Sequence, residues 1–304
     1  MVQTTKCPIC KKADIIKWTK RKTENRGLIQ RYKCKDCGKT FTLDDGFFRM
    51  RNAPQKITCA IDLFYRGVST RKVQEHFQAF YPHNSSHKSI YKWIIKYSKA
   101  IAKFTSKLKI RIGEEVQVDE VEMHRRKSHK SKQGIDENWF IDSIDTETRF
   151  MVASNYCKAR GQKDIKQVMK TIKNKTESQI KMITTDGLLA YPKTIQSVFG
   201  YNLKQTKYNV IHNKVNASKG EGFNHPIERL HNNLRARTKV MRGFHGSVDS
   251  ANAIMKGWET YYNFITRHQA IDCCPFELAI PELKDELNVP NKWLKLIHLS
   301  QQNL

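Results

Sequence analysis

Glu115-Val-Gln-Val-Asp-Glu-Val-Glu-Met123 alternates apolar and polar side chains, and this alternation predicts a β-strand with Asp119 at its centre. A turn of polar residues at 145–148 and a second buried stretch that ends on Asp186 predict more of the same sheet. The remaining elements are expected, in chain order, as strands at 138–145 and 149–156, a helix at 162–175 and a strand at 180–187. Three strands, a helix and a further strand predict an α/β fold.

Two carboxylates in this sheet invite a chemical explanation. Asp119 and Asp186 stand at the centre and the end of predicted strands, where an unpaired charge is costly to bury. A bound cation would offset that cost. Farther along, the segment from Pro226 to Phe244 is expected to be a helix, with Pro226 in its first turn. Glu228 and Arg235 are two turns apart on nearly the same face of this helix, so together they could bind a metal and a phosphate.

At these residues the chain resembles the DDE transposases of insertion-sequence family six, which are relatives in fold of the retroviral integrases. The resemblance covers roughly residues 114–270 and is most specific in the 226–244 helix. It rests on these segments: Val118-Asp-Glu120, Thr185-Asp-Gly187, Met241-Arg-Gly-Phe244, Trp258-Glu-Thr-Tyr-Tyr-Asn-Phe-Ile265 and Arg267-His268. The family has a ribonuclease-H-like fold, which is therefore expected for the catalytic domain.

The resemblance also implies a site. Asp119, Asp186 and Glu228 would form the acidic triad, and Arg235 would be the basic residue that follows the glutamate by seven positions. A site made only of carboxylates and open water positions suits magnesium, with manganese as a substitute. Two such ions, bridged by Asp119, would assist the cutting of an element end and the attack of its 3′-hydroxyl on target DNA.

Some residues depart from the family pattern or lie near the site without an assigned role. The interval of 42 positions from Asp186 to Glu228 is longer than usual, and we place the surplus in a polar loop at 209–225. Gly187 stands where many members have a charged side chain. Three basic residues of the helix are expected to grip phosphate: Arg237, Lys239 and Arg242. Four other acids are interpreted as surface or turn residues: Glu120, Glu122, Asp142 and Asp145.

The charge balance favours nucleic acid as the partner. The 304 residues include 55 Lys and Arg against 29 Asp and Glu, for a formal net charge of +26. Such a field attracts polyanions, and neutralising phosphates releases condensed counterions. A basic protein from a salty or hot habitat is the alternative. No stretch approaches the roughly 18 apolar residues of a spanning helix, and residues 1–12 lack a secretory signal core. We therefore expect no membrane partner and a cytoplasmic, nucleoid-associated protein.

Four of the eight cysteines form two CxxC pairs near the start of the chain. Cys7 and Cys10 precede Cys34 and Cys37, and two such turns complete the tetrahedral thiolate set of a structural zinc site. Disulfides or buried free thiols are the alternative. Short alternating stretches between and after the pairs predict the strands of a zinc ribbon, which is too small to fold without its metal.

The segment after the ribbon is expected to be helical. Pro54 suits the start of a helix that Gly67 would end, Ser69 is placed to cap a second helix, and a cationic third helix follows the polar turn at 82–87. This layout is typical of a helix-turn-helix, although a merely structural helical linker is the alternative. The residues expected to contact a DNA groove are Ser86, His87, Lys88 and Lys92.

These interpretations divide the chain into a zinc ribbon (1–46), a helix-turn-helix segment (47–105), a ribonuclease-H-like catalytic domain (106–270) and a C-terminal tail (271–304). The predicted function is a transposase that acts on double-stranded DNA, as a homodimer that pairs two element ends in a synaptic complex. Two alternatives stay open. One is a ribonuclease-H-like nuclease, and the other is a domesticated or inactive DNA-binding protein.

Overall fold

The computed structural model describes residues 6–24, 26–81, 85–126, 135–136, 138–177, 179–202, 207–215, 225–241 and 243–302. The first of these segments form an antiparallel ribbon of three strands: β1 (Ile15–Thr23), β2 (Gly27–Cys34) and β3 (Thr40–Phe41). Among its described residues, Cys7, Cys34 and Phe41 form the buried apolar cluster, and partly buried neighbours surround them. The predicted ribbon is therefore confirmed, and its apolar core is as small as expected.

Three helices follow: α1 (Pro54–Tyr65), α2 (Thr70–Phe80) and α3 (His87–Thr105). Ser69 caps α2 by accepting a hydrogen bond from the backbone N–H of Lys72 at 3.3 Å. Gly67 follows α1 in the left-handed conformation, with φ of +110°, which glycine adopts without a steric penalty. The expected start, break and cap are confirmed, and α3 extends beyond the predicted segment.

The central sheet and its surroundings contain, in chain order, β4 (Glu115–Glu122), β5 (Arg125–Arg126), β6 (Ile135–Asp136), β7 (Trp139–Asp145), β8 (Met151–Cys157), α4 (Gln162–Thr176), β9 (Met182–Thr185), α5 (Ala190–Phe199), β10 (Tyr201–Asn202), β11 (Lys207–Tyr208) and β12 (Ile211–Lys214). Five strands share one mixed sheet in the order β12-β9-β4-β7-β8. β9 runs parallel to both β4 and β12, whereas β7 is antiparallel to β4 and β8. This is the predicted α/β arrangement, consistent with a ribonuclease-H-like domain.

β12 corrects the sequence analysis, which placed residues 209–225 in a polar loop. The strand pairs with β9 from Ile211 opposite Met182 to Lys214 opposite Thr185. It lies at the edge of the sheet, and its one large apolar side chain, Ile211, is 63% exposed. An edge strand can be stabilised by its backbone pairing without burying apolar side chains. β12 therefore lacks the apolar alternation by which a strand is recognised in the sequence.

The helices after the sheet are α6 (His225–Thr238), α7 (Val248–Thr260), α8 (Pro275–Ala279) and α9 (Lys292–Gln302), with 3-10 turns at Lys239–Met241 and Pro281–Leu283. A π-helical turn, Tyr261–Ile265, extends α7. The helix predicted at 226–244 thus ends at Thr238. Gly243 adopts a φ of +95°, and Phe244 forms a β-bridge with Arg125 of β5, in which its N–H donates to the carbonyl of His124 at 2.9 Å.

The segment predicted as a C-terminal tail is part of the core. α9 packs against α1 and α3. Trp293 stacks on Tyr65 with ring centroids 5.4 Å apart, and its indole N–H donates to Asp62 at 3.1 Å. A single apolar cluster extends from Phe47 to Leu299, so the helical segment and the α/β domain share one core.

The contact between α3 and α7 is close. A Cβ atom on Gly257 would lie 1.9 Å from the hydroxyl oxygen of Tyr65, so only glycine fits there. That hydroxyl donates to the carbonyl of Ile254 on α7 at 3.1 Å and shares a hydrogen bond with Ser98 on α3. The helices before the sheet are therefore fixed against the helix that follows it. No helix of the described segments combines the length and apolar character needed to cross a bilayer.

Candidate metal centre

Three carboxylates meet where β4 and β9 lie side by side. Asp119 and Glu120 are in β4, and Asp186 follows the last residue of β9. One carboxylate oxygen from each lies within 4.8 Å of the others. The structure therefore brings together two of the acids expected from the sequence, Asp119 and Asp186, and adds Glu120. Oxygen donors this close together are suited to a hard divalent cation.

Asp119 in β4 faces residues of two other elements, β7 and α6. Its cross-strand partner in β7 is Asp142, and its Oδ1 accepts a hydrogen bond from the backbone N–H of Glu120 at 2.8 Å. The side chain is 24% exposed. Burial raises the pKa of Asp119 to about 6, because removal from water disfavours the charged form. A cation at this position would restore the charged form.

Glu120 was wrongly interpreted as a surface acid. Its side chain is 2% exposed, and it accepts hydrogen bonds from the hydroxyl of Tyr191 at 2.5 Å and from the guanidinium of Arg160 at 3.2 Å. Arg160 in turn lies over the ring of Trp139, at 4.0 Å from its centroid. Burial raises the pKa of Glu120. Since β4 is the middle strand of a covered sheet, its polar residues meet partners on both faces.

Asp142 and Asp145 in β7 are also buried, contrary to the same interpretation, whereas Glu122 is exposed as expected. Asp145 accepts hydrogen bonds from the backbone N–H groups of Gly113 and Thr148, so it is a turn acid but not an exposed one. Burial raises the pKa of both aspartates. Both aspartates lie in β7, an interior strand between β4 and β8, from which solvent is excluded.

The sequence analysis missed His231, which links these acids. Its Nε2 lies 2.7 Å from Oδ1 of Asp142, and its Nδ1 lies 3.5 Å from Oδ2 of Asp119. Burial lowers the pKa of His231, but the two carboxylates outweigh that effect and raise it above its ordinary value. A signal was available, because His231 follows Glu228 by three positions on the helix face that also carries Arg235.

Removing His231 is expected to destabilise the fold. His231→Ala would leave the carboxylate of Asp142, which is fully buried, without its imidazole partner. Breaking such a buried pair costs about 3 to 5 kcal/mol of the free energy of unfolding, whereas an apolar replacement of both partners is often neutral. Urea unfolding of His231→Ala, and of the cycle His231→Leu, Asp142→Leu and Asp142→Leu/His231→Leu, measures both effects. A loss below about 1 kcal/mol in the single variants would show that the pair is not coupled.

Glu228 lies near this cluster but is not one of its members. It is in the first turn of α6, about half exposed, with one carboxylate oxygen 3.7 Å from Nδ1 of His225. The residue before Glu228 holds α6 against the sheet: the backbone N–H of Ile227 donates to the side-chain oxygen of Gln117 in β4 at 3.3 Å. Glu228 therefore remains a predicted ligand, one helical turn from the imidazole that contacts Asp119.

Residues 136–268 match the family model of a DDE domain. This chain carries a transposase DDE domain. The matched segment includes Asp186, Glu228 and Arg235, and it begins after Asp119. A search of curated proteins gave no match.

The basic residues that follow the glutamate in the DDE domain have different environments. Arg235 and Lys239 are exposed, beside a cleft of about 400 Å³ that Glu122 and His124 also line. Arg237, expected to grip phosphate, is buried instead: its guanidinium donates to the carbonyl of Phe64 and lies over the Phe64 ring at 4.5 Å. This position makes Arg237 a link between α6 and α1. Arg242 lies outside the described residues.

The helical residues expected to contact DNA also divide into two groups. Ser86 caps α3, and His87 is held through its backbone N–H, which donates to the side chain of Gln74 at 2.7 Å. Lys88 and Lys92 are exposed, one turn apart on the same helix, and line a cleft of about 570 Å³ with Arg71. The two lysines therefore remain predicted DNA contacts, whereas Ser86 and His87 position the helix.

The four ribbon cysteines form the other candidate metal site. Sγ of Cys7 lies 3.7 Å from that of Cys37, and Sγ of Cys10 lies 3.5 Å from that of Cys34. All four sulfur atoms lie within 4.8 Å of one another, as the ligands of a tetrahedral zinc ion do. Cys59, Cys157, Cys273 and Cys274, the other described cysteines, do not join this group.

Proposed function

We propose that this protein is a transposase that binds the ends of a mobile element and catalyses metal-dependent 3′-end cleavage and strand transfer into target DNA. The observation that carries the proposal is the meeting of Asp119, Glu120 and Asp186 within 4.8 Å, in a chain whose residues 136–268, which include Asp186, match a DDE domain. The net charge of +26 supports a DNA substrate, because it favours binding of the phosphate backbone.

Magnesium, or manganese in its place, is the proposed ion. Asp119 and Asp186 would hold it, and in this chemistry a divalent ion increases the nucleophilicity of an oxygen and stabilises the leaving 3′ oxygen. His231, bonded to Asp142, would keep the carboxylate of Asp119 in place. Zinc would have a structural role in the ribbon only, since four thiolates leave no open position for a substrate.

DNA contacts are proposed on both sides of the acidic cluster. Arg235 and Lys239 would bind phosphates near the reacting strand, and Lys88 and Lys92 would bind the element end through α3. Because the fold joins α3 to the DDE domain through α7, binding by one part would fix the DNA relative to the other. A homodimer is proposed because synapsis pairs two ends, and symmetric dimers are the commonest assembly.

The third carboxylate ligand can be identified by a matched pair of variants. Glu228 is exposed on the α6 face that carries His231, whereas both oxygens of Glu120 already accept hydrogen bonds. We therefore expect Glu228→Gln to reduce strand transfer by roughly 100-fold or more. Glu120→Gln is expected to retain activity within about tenfold, because an amide oxygen can still accept from Tyr191.

The assay incubates purified protein with labelled element ends and a target plasmid, with magnesium or with a chelator. Strand-transfer products that require the metal are the expected result for the wild-type protein. Loss of activity in Glu120→Gln but not in Glu228→Gln would assign the third ligand to Glu120 instead. Hydrolysis of RNA–DNA hybrids without any joining of DNA ends would indicate that the protein is a nuclease and not a transposase.

A further inference from the structure

A third cleft opens on the other side of α6 from Glu228 and His231. It has a volume of about 810 Å³ and lies among α6, the end of α1, the π-helical turn and the segment 266–270. Volumes of roughly 300 to 1,000 Å³ are typical of sites for small organic groups. Nothing in the proposed chemistry of the acidic cluster uses this cleft.

The described lining of the cleft is cationic. It includes five arginines and no carboxylate: Arg66, Arg149, Arg229, Arg237 and Arg267. Arg66 and Arg267 form ion pairs with acids outside the lining, Asp62 and Asp272. Neither Arg149 nor Arg229 has an acidic partner among the described residues, so their charges face the cleft uncompensated. An anionic ligand would supply the missing partner.

The same walls carry aromatic rings. Tyr261 lies 6.2 Å from Tyr65 and 5.6 Å from Trp258, measured between ring centroids. Tyr262 lies 4.3 Å from the ring of His268, edge to face. Tyr261 is partly exposed, so part of this cluster of rings reaches the open space. Such a surface suits a flat apolar group, which no inorganic anion provides.

Three buried polar atoms of the lining have no hydrogen-bond partner. They are the indole Nε1 of Trp258, Oγ1 of Thr266 and Nε of Arg237. Trp258 and Arg237 are more than nine-tenths buried. Leaving such groups unsatisfied is costly, and native structures rarely do so without a reason such as a missing ligand. All three belong to the cleft that also lacks counter-charges.

We propose that this cleft holds one unpaired nucleotide of the DNA, an inference that rests on the proposed function. The arginines would bind its phosphate and the aromatic rings its base, as in proteins that bind single strands or extruded bases. A helix with its side chains is about 10 to 12 Å across, and one strand advances about 3.4 Å per nucleotide. The unpaired nucleotide would therefore be a few positions from the phosphate at the acidic cluster.

The test compares the affinity of the full-length, zinc-loaded protein for two short duplexes in buffer without magnesium or manganese, one fully paired and one with a single unpaired thymidine. Fluorescence anisotropy should show about tenfold tighter binding of the second duplex, which is the scale of one base stacked on an aromatic ring. Arg229→Ala and Tyr261→Leu should each remove most of this preference. Lys170→Ala, which removes an exposed cation from α4, is the matched control and should keep it.

Tyr261 packs against other rings, so its variant is checked by thermal melting; Arg229 is exposed and its variant should fold normally. Equal affinity of the wild-type protein for both duplexes would overturn the inference. So would competition by thymidine monophosphate as strong as that of the unpaired duplex, because it would indicate a free-nucleotide site. Since the binding assay needs no magnesium or manganese, a wild-type protein that shows this preference but performs no strand transfer would refute only the proposed transposase activity.

Discussion

Asp119→Asn and Asp186→Asn should each reduce strand transfer by roughly a thousandfold or more, with DNA affinity nearly unchanged. The amide is close in shape to the carboxylate but carries no charge, so the protein should fold while the metal loses a ligand. The double variant should be little worse than either single variant, because residues that act as one unit fail together. The measurement is the strand-transfer assay with labelled ends. Activity within about tenfold of wild type in either variant would contradict the proposed site.

A stability measurement separates this loss from misfolding. The pKa of Asp119 is raised to about 6 in the folded protein, above its usual value, so its ionisation costs stability as the pH rises through that range. At neutral pH without metal, Asp119→Asn should therefore be more stable than wild type by up to about 3 kcal/mol. If the variant is inactive but has a raised melting temperature, the loss of strand transfer results from the missing metal ligand and not from misfolding.

Removal of zinc should have the second large effect. The ribbon buries few apolar residues, Cys7 and Cys34 among them, so its folding depends on the metal. Apparent zinc binding in small fingers contributes about 10 to 16 kcal/mol, and Cys34→Ser should forfeit most of it. We expect a loss of one equivalent of zinc and unfolding of residues 6–46, detected by hydrogen exchange.

Cys59→Ser is the matched control, because Cys59 is a partly buried thiol of α1 outside the cluster. It should keep the zinc and the protection of the ribbon. The α/β core should survive in both variants, since it shares no buried residue with the ribbon cluster. Full protection of the ribbon in the presence of a strong chelator would contradict the zinc assignment.

The sequence predicted elements where the signal is local. The alternation in 115–123 marks β4, and the cap at Ser69 and the break at Gly67 are visible without any tertiary contact. β12 could not be found in this way, because it depends on pairing with β9. The C-terminal helix was missed although Trp293, Leu296 and Ile297 have helical spacing; its burial against α1 depends on a segment more than 200 residues away.

The site was predictable in part for the same reason. Asp119 and Asp186 stand out because a carboxylate at a strand centre or end is unusual. The buried state of Glu120 depends on Tyr191, and that of Asp142 depends on His231, partners 71 and 89 positions away. Alternation alone assigns such polar residues to solvent. That assignment fails here because both faces of the middle strands are covered. The burial of Arg237 against α1 likewise depends on a tertiary contact that alternation does not reveal.

Counting bound manganese tests whether Asp119 and Asp186 hold the divalent ions of strand transfer. Manganese is paramagnetic, so electron paramagnetic resonance can count the ions on the protein bound to a cut element end, without interference from zinc. We expect two ions for wild type and at most one for Asp119→Asn. The same number of bound ions, with the same affinity, in both proteins would contradict it.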